Sequence, residues 1–244
     1  MIRWTTERAA LFSPSRAYYR RHDWRLRSLL RCLSLASRSR PLTRDELTMT
    51  APVQIGTARL TLRQPRMDDA LAIFERYASV AEVTRYLGWP RHETVEDTRA
   101  FLQFSAEQWA RWPAGPYVIL SRADGQLLGS TGLGFQTSQE AVTGYVLAKD
   151  AWGRGYATEA LAAMIEVAGR MGVIRLDALC HPEHGASRRV LEKSGFVRDA
   201  PPSRRAEFPN LAPGVQQDAF CYALSARGDE RARGLTPACS RHRP

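Results

Sequence analysis

The sequence predicts a mixed α/β domain over residues 55–225, and three observations support this prediction. Segments with alternating apolar and polar residues, typical of strands, are interspersed with segments whose apolar residues recur every three or four positions, as in helices. An apolar segment at 144–148 leads through a loop rich in small residues into a helical segment at 159–171. No internal repeat or linker interrupts residues 55–225, and 244 residues suffice for one ordinary domain.

The first half of this domain is expected to contain strands and helices in succession. Asp68 is of the type that caps a helix, and the apolar residues behind it follow at helical spacing. Residues 122–125 carry a hairpin turn signal. The expected segments are a strand at 59–63, a helix at 68–78, a loop at 79–90, a helix at 94–112, and strands at 117–121 and 126–134.

The second half is expected to alternate strands and helices. Gly172 suits the C-terminal cap of one helix, and Gly195 suits the end of the next one. The expected segments are a strand at 141–148, a helix at 158–171, a strand at 174–180, a helix at 186–194 and a strand at 218–225.

The loop at residues 152–158, here called the glycine loop, predicts a binding site for an anion. A helix that begins in such a loop presents free backbone N–H groups and the positive end of its dipole. A triphosphate-binding loop would need Lys after its last glycine, but Gly155 is followed by Tyr156. A dinucleotide fingerprint would need Gly or Ala at Thr158, although Asp177 lies at a suitable distance for a ribose-binding acid. Dinucleotide binding by an oxidoreductase therefore stays open as a second interpretation.

The glycine loop resembles motif A of the GNAT superfamily of N-acetyltransferases. In that motif Gln or Arg, two residues, Gly, one residue, and Gly or Ala follow in order. Gly155 and Ala157 match the two small positions, and Trp152 holds the place of the Gln or Arg. The version found here is similar to that of the RimJ/RimL-like branch, which includes ribosomal-protein N-terminal acetyltransferases.

Residues 181–196 resemble motif B of the same branch, in which Asn, two residues and Ser precede a short helix ending in Glu-Lys-x-Gly-Phe. Ser187 matches the serine, and His184 stands where the family usually has Asn. The two motifs imply a GNAT fold over residues 55–225. That fold has a mixed, mostly antiparallel sheet of about six to seven strands, with about four helices. The sheet is splayed between the strands that flank the acetyl-CoA site.

The resemblance implies that acetyl-CoA is the cosubstrate and that no metal takes part. In the family, backbone groups of the strand before motif A bind the pantetheine arm, and the loop after it holds the pyrophosphate. Trp152 is expected to act mainly as a packing anchor. The residues expected to bind the cosubstrate are Val146, Leu147, Ala148, Trp152, Gly153, Arg154, Gly155, Tyr156, Ala157, Thr158, His184 and Ser187.

Ser187 and His184 are the candidate catalytic residues. Ser187 matches the family serine proposed to protonate the departing thiolate, but a polar residue in a first helical turn is also a common structural feature. His184 can bind the pantetheine, act as a base near neutral pH, or serve only as a helix cap. The branch often carries Glu two residues before the Gly-Tyr pair, where Val142 stands here, and Glu140 lies two residues earlier. The identity of the base therefore stays open.

The expected reaction is the direct attack of a primary amine on the thioester of acetyl-CoA. Protein N-terminal α-amines, amino acids, polyamines and amino-bearing antibiotics are all possible acceptors, and the branch resemblance favours a protein N-terminus. A non-catalytic module that binds or senses acyl-CoA is the alternative, since Val142 replaces the branch Glu.

Basic residues are concentrated at the two ends of the chain, which argues against a nucleic-acid-binding body. Residues 1–48 carry a net charge of +7 and residues 225–244 of +3, whereas residues 49–224 carry 19 basic and 19 acidic side chains. We expect Met49 to be the natural start and residues 1–48 to be upstream sequence read in frame. An organellar transit peptide and an RNA-contacting arm are the alternatives. Residues 226–244 are expected to be a disordered tail.

Cysteine usage and hydropathy point to a cytoplasmic protein. The four cysteines contain no Cys-x-x-Cys pair, so neither a zinc site nor a disulfide framework is expected. No apolar segment reaches the ~20 residues of a membrane-spanning helix. We expect a monomer or homodimer whose partner is a small-molecule amine or a protein N-terminus, not a membrane or a nucleic acid.

A chain of residues 49–225 is expected to fold and to melt within a few degrees of the full chain. Residues 1–48 and 226–244 lack the apolar periodicity that could offset the entropy of ordering them. Thermal unfolding of both chains, followed by circular dichroism, tests this expectation. Insolubility or a large loss of stability in the shorter chain would show that an end segment belongs to the fold.

Overall fold

The computed structural model describes residues 50–199 and 204–225, so the predictions for residues 1–48 and 226–244 lie outside the described residues. The strands are β1 (Gln54–Gly56), β2 (Leu60–Arg63), β3 (Pro116–Ser121), β4 (Leu127–Phe135), β5 (Glu140–Leu147), β6 (Arg175–Cys180), β7 (Val197–Arg198), β8 (Arg204–Glu207) and β9 (Gln216–Ser225). The α-helices are α1 (Ala70–Ile73), α2 (Ala81–Thr84), α3 (Val95–Arg111), α4 (Tyr156–Arg170) and α5 (Gly185–Lys193).

The strands form an open, mostly antiparallel sheet in the order β1-β2-β3-β4-β5-β6-β9-β7, and β8 also pairs with β9. Among the strands that the structure describes, only the pair β5 with β6 is parallel. Helix α4 makes the crossover between these two strands, as a parallel pair requires. The mixed α/β fold class predicted from the sequence is confirmed.

The parallel pair β5–β6 separates soon after it begins. Pairing is confined to residues 140–142 of β5 and 175–177 of β6. Beyond these residues β5 continues to pair with β4 as far as Leu147, while β6 pairs with β9 as far as Cys180. The space between residues 143–147 and 178–180, here called the gap, is the splayed region expected at the centre of the sheet.

Helix α4 covers one face of the sheet, next to the gap. It begins after Gly155, whose positive φ of 78° is accessible to glycine without strain, and Gly172 follows its end with a φ of 75°. Apolar residues at helical spacing bury one side of α4 in the main core, which also contains Leu191 of α5. The buried residues of α4 are Ala160, Leu161, Ala163, Met164, Val167 and Ala168.

The opposite face of the sheet is covered by α1, a π-helical turn at Phe74–Ala78 and α3. Ile73, Tyr77 and Leu102 pack there against Val118 of β3 and Leu127 of β4. Helix α3 begins with a capping box, because Thr94 and Asp97 each accept a backbone N–H of the other.

The structure differs from the sequence prediction mainly in its short elements. Within the described residues it has nine strands and five α-helices, where about six to seven strands and about four helices were expected. Helix α2 lies in a segment predicted to be a loop, and β1 and β7 have only three and two residues. Such short segments show no periodicity and are fixed by the neighbours with which they pair. No helix in the described part of the chain is long and apolar enough to cross a bilayer.

Candidate active site

The backbone of β5 offers hydrogen-bonding groups to the gap. Its register with β4 is unbroken, so the direction of its N–H and C=O groups alternates from one residue to the next. Ala148 donates its N–H to Leu128 O at 2.8 Å, on the β4 side, whereas Gln139 O accepts from Arg175 N–H on the β6 side. The backbone groups of Tyr145 and Leu147 therefore face the gap.

This alternation divides the three residues whose backbone was expected to bind pantetheine. Leu147 faces the gap, whereas the backbone groups of Val146 and Ala148 are directed to β4. The Leu147 carbonyl also accepts the indole N–H of Trp152 at 2.8 Å. Trp152, although 43% exposed, thus anchors the start of the glycine loop to the end of β5.

The glycine loop has the geometry of an anion-binding helix start. Gly153 and Gly155 have φ values of 73° and 78°, a conformation that other residues adopt only at a cost. Gly155 is the N-cap of α4, and its carbonyl accepts from Glu159 N–H. The first-turn amides of Tyr156, Ala157 and Thr158 have no acceptor within the helix, so they are available to a ligand at the positive end of the helix dipole.

Arg59, immediately before β2, lies over the glycine loop. Its Nη1 donates to Arg154 O at 2.9 Å, and its Nε lies 2.7 Å from Glu159 Oε2. The guanidinium carbon is 4.8 Å from the centre of the Tyr156 ring. The sequence analysis missed this residue, because its partners lie about a hundred positions away and no local motif marks the contact.

Glu159 ties α4 to the turn between β1 and β2. It accepts from Thr57 Oγ1 at 2.6 Å and from Arg59 N–H at 2.8 Å. Burial opposes its ionisation, but these hydrogen bonds and the Arg59 charge outweigh burial and lower the pKa of Glu159. An ionised carboxylate near a helix N-terminus stabilises the helix and keeps Arg59 beside the loop.

Ser187 lies in the first turn of α5 and contacts β5 across the gap. Its Oγ is 3.0 Å from the Tyr145 hydroxyl, which also lies 3.2 Å from Ser187 O. The Cys180 thiol is buried beside them, and burial raises its pKa while a hydrogen bond with Ser187 opposes that shift. Cys180 belongs to the core, as the alternation of β6 indicated.

His184 is part of a stack of aromatic rings at the end of β6. The Tyr86 ring lies 5.0 Å from the His184 ring and 4.8 Å from the His181 ring, nearly parallel to both. Burial and then the charge of His181 lower the pKa of His184, so its imidazole is neutral at pH 7. His181 Nδ1 accepts from Glu183 N–H, which fixes how that ring is oriented.

Val142, at the position of the branch Glu, pairs across the sheet with Asp177. Asp177 is buried, and its carboxylate lies 2.9 Å from Arg175 Nε and 3.8 Å from Arg204 Nη2. Burial raises the pKa of Asp177, and the two arginines oppose that shift. Because this carboxylate is engaged inside the sheet, it is not placed to bind a ribose at the glycine loop, and the dinucleotide interpretation loses its support.

Comparison with known proteins decides the family. A family model described as an acetyltransferase (GNAT) domain matches residues 59–197, more than half of the chain. The chain belongs to the GNAT acetyltransferase family. The family predicted from the glycine loop and from residues 181–196 is thereby confirmed.

Curated relatives are similar over most of their length. The chain is 30% identical over 146 residues to the uncharacterized N-acetyltransferase YoaA of Bacillus subtilis, covering 59% of this chain and 82% of YoaA. It is 28% identical over 151 residues to the uncharacterized N-acetyltransferase p20 of Bacillus licheniformis, covering 59% of this chain and 84% of p20. The protein is therefore a GNAT N-acetyltransferase enzyme, not an oxidoreductase.

Solved structures share the fold. A GNAT acetyltransferase from Bacillus anthracis superposes with a TM-score of 0.59 at 25% identity, covering 70% of this chain and 98% of that chain. RimL, a ribosomal L7/L12 α-N-protein acetyltransferase solved in complex with coenzyme A, superposes with a TM-score of 0.60 at 21% identity, covering 72% and 97%.

Proposed function

We propose that this GNAT acetyltransferase moves an acetyl group from acetyl-CoA to the α-amine of a protein N-terminus, with small-molecule primary amines as the second acceptor class. One observation carries the proposal of acetyl-CoA binding. The gap between β5 and β6 lies beside the glycine loop at one end, and Ser187 and His184 lie beside its other wall. The protein acceptor is supported by the likeness to RimL in fold and by the motif version in the glycine loop.

The pyrophosphate of acetyl-CoA would bind the glycine loop and the first turn of α4. The free amides there and the helix dipole favour an anion. Arg59 adds a positive charge at the same place and is held there by Glu159. The residues proposed for this part of the site are Gly153, Arg154, Gly155, Tyr156, Ala157, Thr158 and Arg59.

The pantetheine arm would lie in the gap along β5. Its amide groups can hydrogen-bond the backbone of Tyr145 and Leu147, which β6 leaves unpaired, as an added strand pairs with a sheet edge. Val146 and Ala148 would then support the strand through β4. Trp152 would fix the junction between the gap and the glycine loop.

The reaction needs a neutral amine, a stabilised oxyanion and a protonated leaving sulfur. An α-amine has a pKa of ~8, so a weak base suffices to take its proton. His184 is neutral at pH 7 because burial lowers its pKa, and it is the base that we propose. Ser187 is the acid that we propose for the departing sulfur.

If the glycine loop binds the pyrophosphate, Gly155→Ala should weaken coenzyme A binding by about 10- to 100-fold. The added Cβ would stand where the pyrophosphate must approach the backbone, 3.4 Å from Arg59 Nη2. Isothermal titration calorimetry measures the change. Gly172→Ala is the matched control, because Gly172 has a similar φ at the other end of α4 and open space around it. Equal affinity in a folded Gly155→Ala variant and in the control would remove the glycine loop from the site.

The proposed reaction predicts thiol release from acetyl-CoA when a primary amine is added. The panel should include N-terminal peptides, amino acids, polyamines and amino-bearing antibiotics, with N-acetylated peptides as the matched control. N-terminal peptides are expected to react fastest and the blocked peptides not at all. Release at the background rate with every amine would contradict the proposal, whereas a faster small amine would reassign the acceptor.

Two substitutions then assign the roles within this reaction. Ser187→Ala should lower kcat by about 10- to 100-fold, at the low end for a general acid, with little change in acetyl-CoA affinity. His184→Asn introduces the usual family residue, so binding should persist while the rate falls if the imidazole is the base. Full activity in both variants would leave backbone positioning as the catalytic device.

A further inference from the structure

The hydrogen bond between Tyr145 and Ser187 links β5, at a residue that borders the gap, to helix α5. We propose that Tyr145 is a positioning residue that directs the Ser187 hydroxyl proton toward the sulfur of coenzyme A. This inference rests on the proposed function, because it concerns the same sulfur. It adds to that function a side chain of β5 that no sequence motif marks as part of the chemistry.

The hydrogen bond joins β5 to α5, the helix that follows β6. Tyr145 is in β5 beyond the last residue that pairs with β6, and its backbone faces the gap. Ser187 is in α5, which follows β6. The Tyr145 hydroxyl lies 3.0 Å from Ser187 Oγ and 3.2 Å from Ser187 O, so it contacts both oxygen atoms of this residue.

The direction of this hydrogen bond follows from the groups around it. Ser187 O can only accept, so the Tyr145 hydroxyl must be a donor in that contact. Burial raises the pKa of Tyr145, which keeps the phenol protonated at all ordinary pH values. The phenol has a single proton, and a three-centre hydrogen bond shares it between Ser187 O at 3.2 Å and Ser187 Oγ at 3.0 Å. Ser187 Oγ then accepts from Tyr145, and the serine proton is left for another acceptor.

Without a ligand, the acceptor beside Ser187 is the neighbouring Cys180 thiol, and it is a weak one. Cys180 Sγ lies 3.4 Å from His181 O and 3.7 Å from His184 O, either of which can accept its one proton, and burial holds the thiol protonated. A protonated thiol is a weak acceptor, whereas the sulfur of a breaking thioester gains negative charge and accepts strongly.

The proton step balances without any added reagent. When the amine nitrogen bonds to the acetyl carbon, the carbon–sulfur bond breaks and its electron pair goes to sulfur. Sulfur takes the Ser187 Oγ proton, His184 takes the proton that the amine nitrogen loses, and proton exchange with solvent then returns both side chains to their starting states. Tyr145 keeps its own proton throughout and acts through Ser187, as its raised pKa requires.

Binding of coenzyme A and of desulfo-coenzyme A, in which hydrogen replaces the thiol, tests this role without any acceptor amine. At pH 9.5 the free thiol, with a pKa of ~8.5, is ionised and accepts a hydrogen bond strongly, so the full chain should bind coenzyme A about 10- to 100-fold more tightly than the desulfo form. Both Tyr145→Phe and Ser187→Ala should reduce this preference while affinity for the desulfo form stays constant. The double variant should equal Ser187→Ala, since Tyr145 acts through Ser187.

Tyr222→Phe is the matched control. Tyr222 is buried in the same core, and its hydroxyl donates to Glu192 of α5 at 2.9 Å, so its loss removes a comparable anchor of the same helix. This variant should keep the full preference for the thiol. An unchanged preference in Tyr145→Phe, or an equal loss in Tyr222→Phe, would overturn the role of Tyr145. Failure of the unmodified chain to bind either compound would instead overturn the proposed function, and this inference with it.

Discussion

The early separation of β5 from β6 is the constraint on which the candidate site depends. Each unpaired backbone N–H or C=O group inside a protein costs about 1–3 kcal/mol unless water or a ligand replaces the missing strand. Here the N–H and C=O of Tyr145 and the N–H of Leu147 have no strand partner, whereas the Leu147 carbonyl accepts from Trp152. A ligand with its own amide groups would relieve this cost, and on this ground we propose that the sheet recognises its ligand through its backbone.

Side-chain contacts connect the strands of the gap to the neighbouring elements at two places. At the first, Trp152 donates to Leu147 O, and Arg59 bridges Arg154 O and Glu159, so β2, the glycine loop and α4 are tied together. At the second, Tyr145 contacts Ser187 of α5. The N-terminus of α4 and the hydroxyl groups of Tyr145 and Ser187 are thus held at fixed places relative to β5. Such an arrangement favours catalysis by positioning of the reactants.

The sequence predicted what depends on short-range order. Helix α4 follows from apolar residues spaced for one buried face and from Gly172 behind its end, although it begins at Tyr156 and not at residue 158. The short helix that carries Ser187 follows from the second motif. The short strands β1 and β7 were missed because pairing partners, not periodicity, fix them.

The side-chain environment of the site could not be read in the same way. Arg59 meets Glu159 from 100 positions away, and Tyr145 meets Ser187 from 42 positions away. The resemblance assigned pantetheine binding to the backbone of Val146, Leu147 and Ala148. The pairing of β5 with β4 indicates instead that the backbone groups of Tyr145 and Leu147 face the gap. Such contacts depend on how distant elements pack, which local residue patterns do not encode.

Amide hydrogen exchange measured residue by residue by NMR, with and without coenzyme A, tests the central claim most directly. The account predicts that coenzyme A slows exchange at Tyr145 and Leu147 and at the first-turn amides of α4. The amide of Ala148 should change little, because it already donates to Leu128 O. Protection that appears elsewhere in the chain while the Tyr145, Leu147 and α4 amides stay unchanged would show that the gap does not bind the cosubstrate.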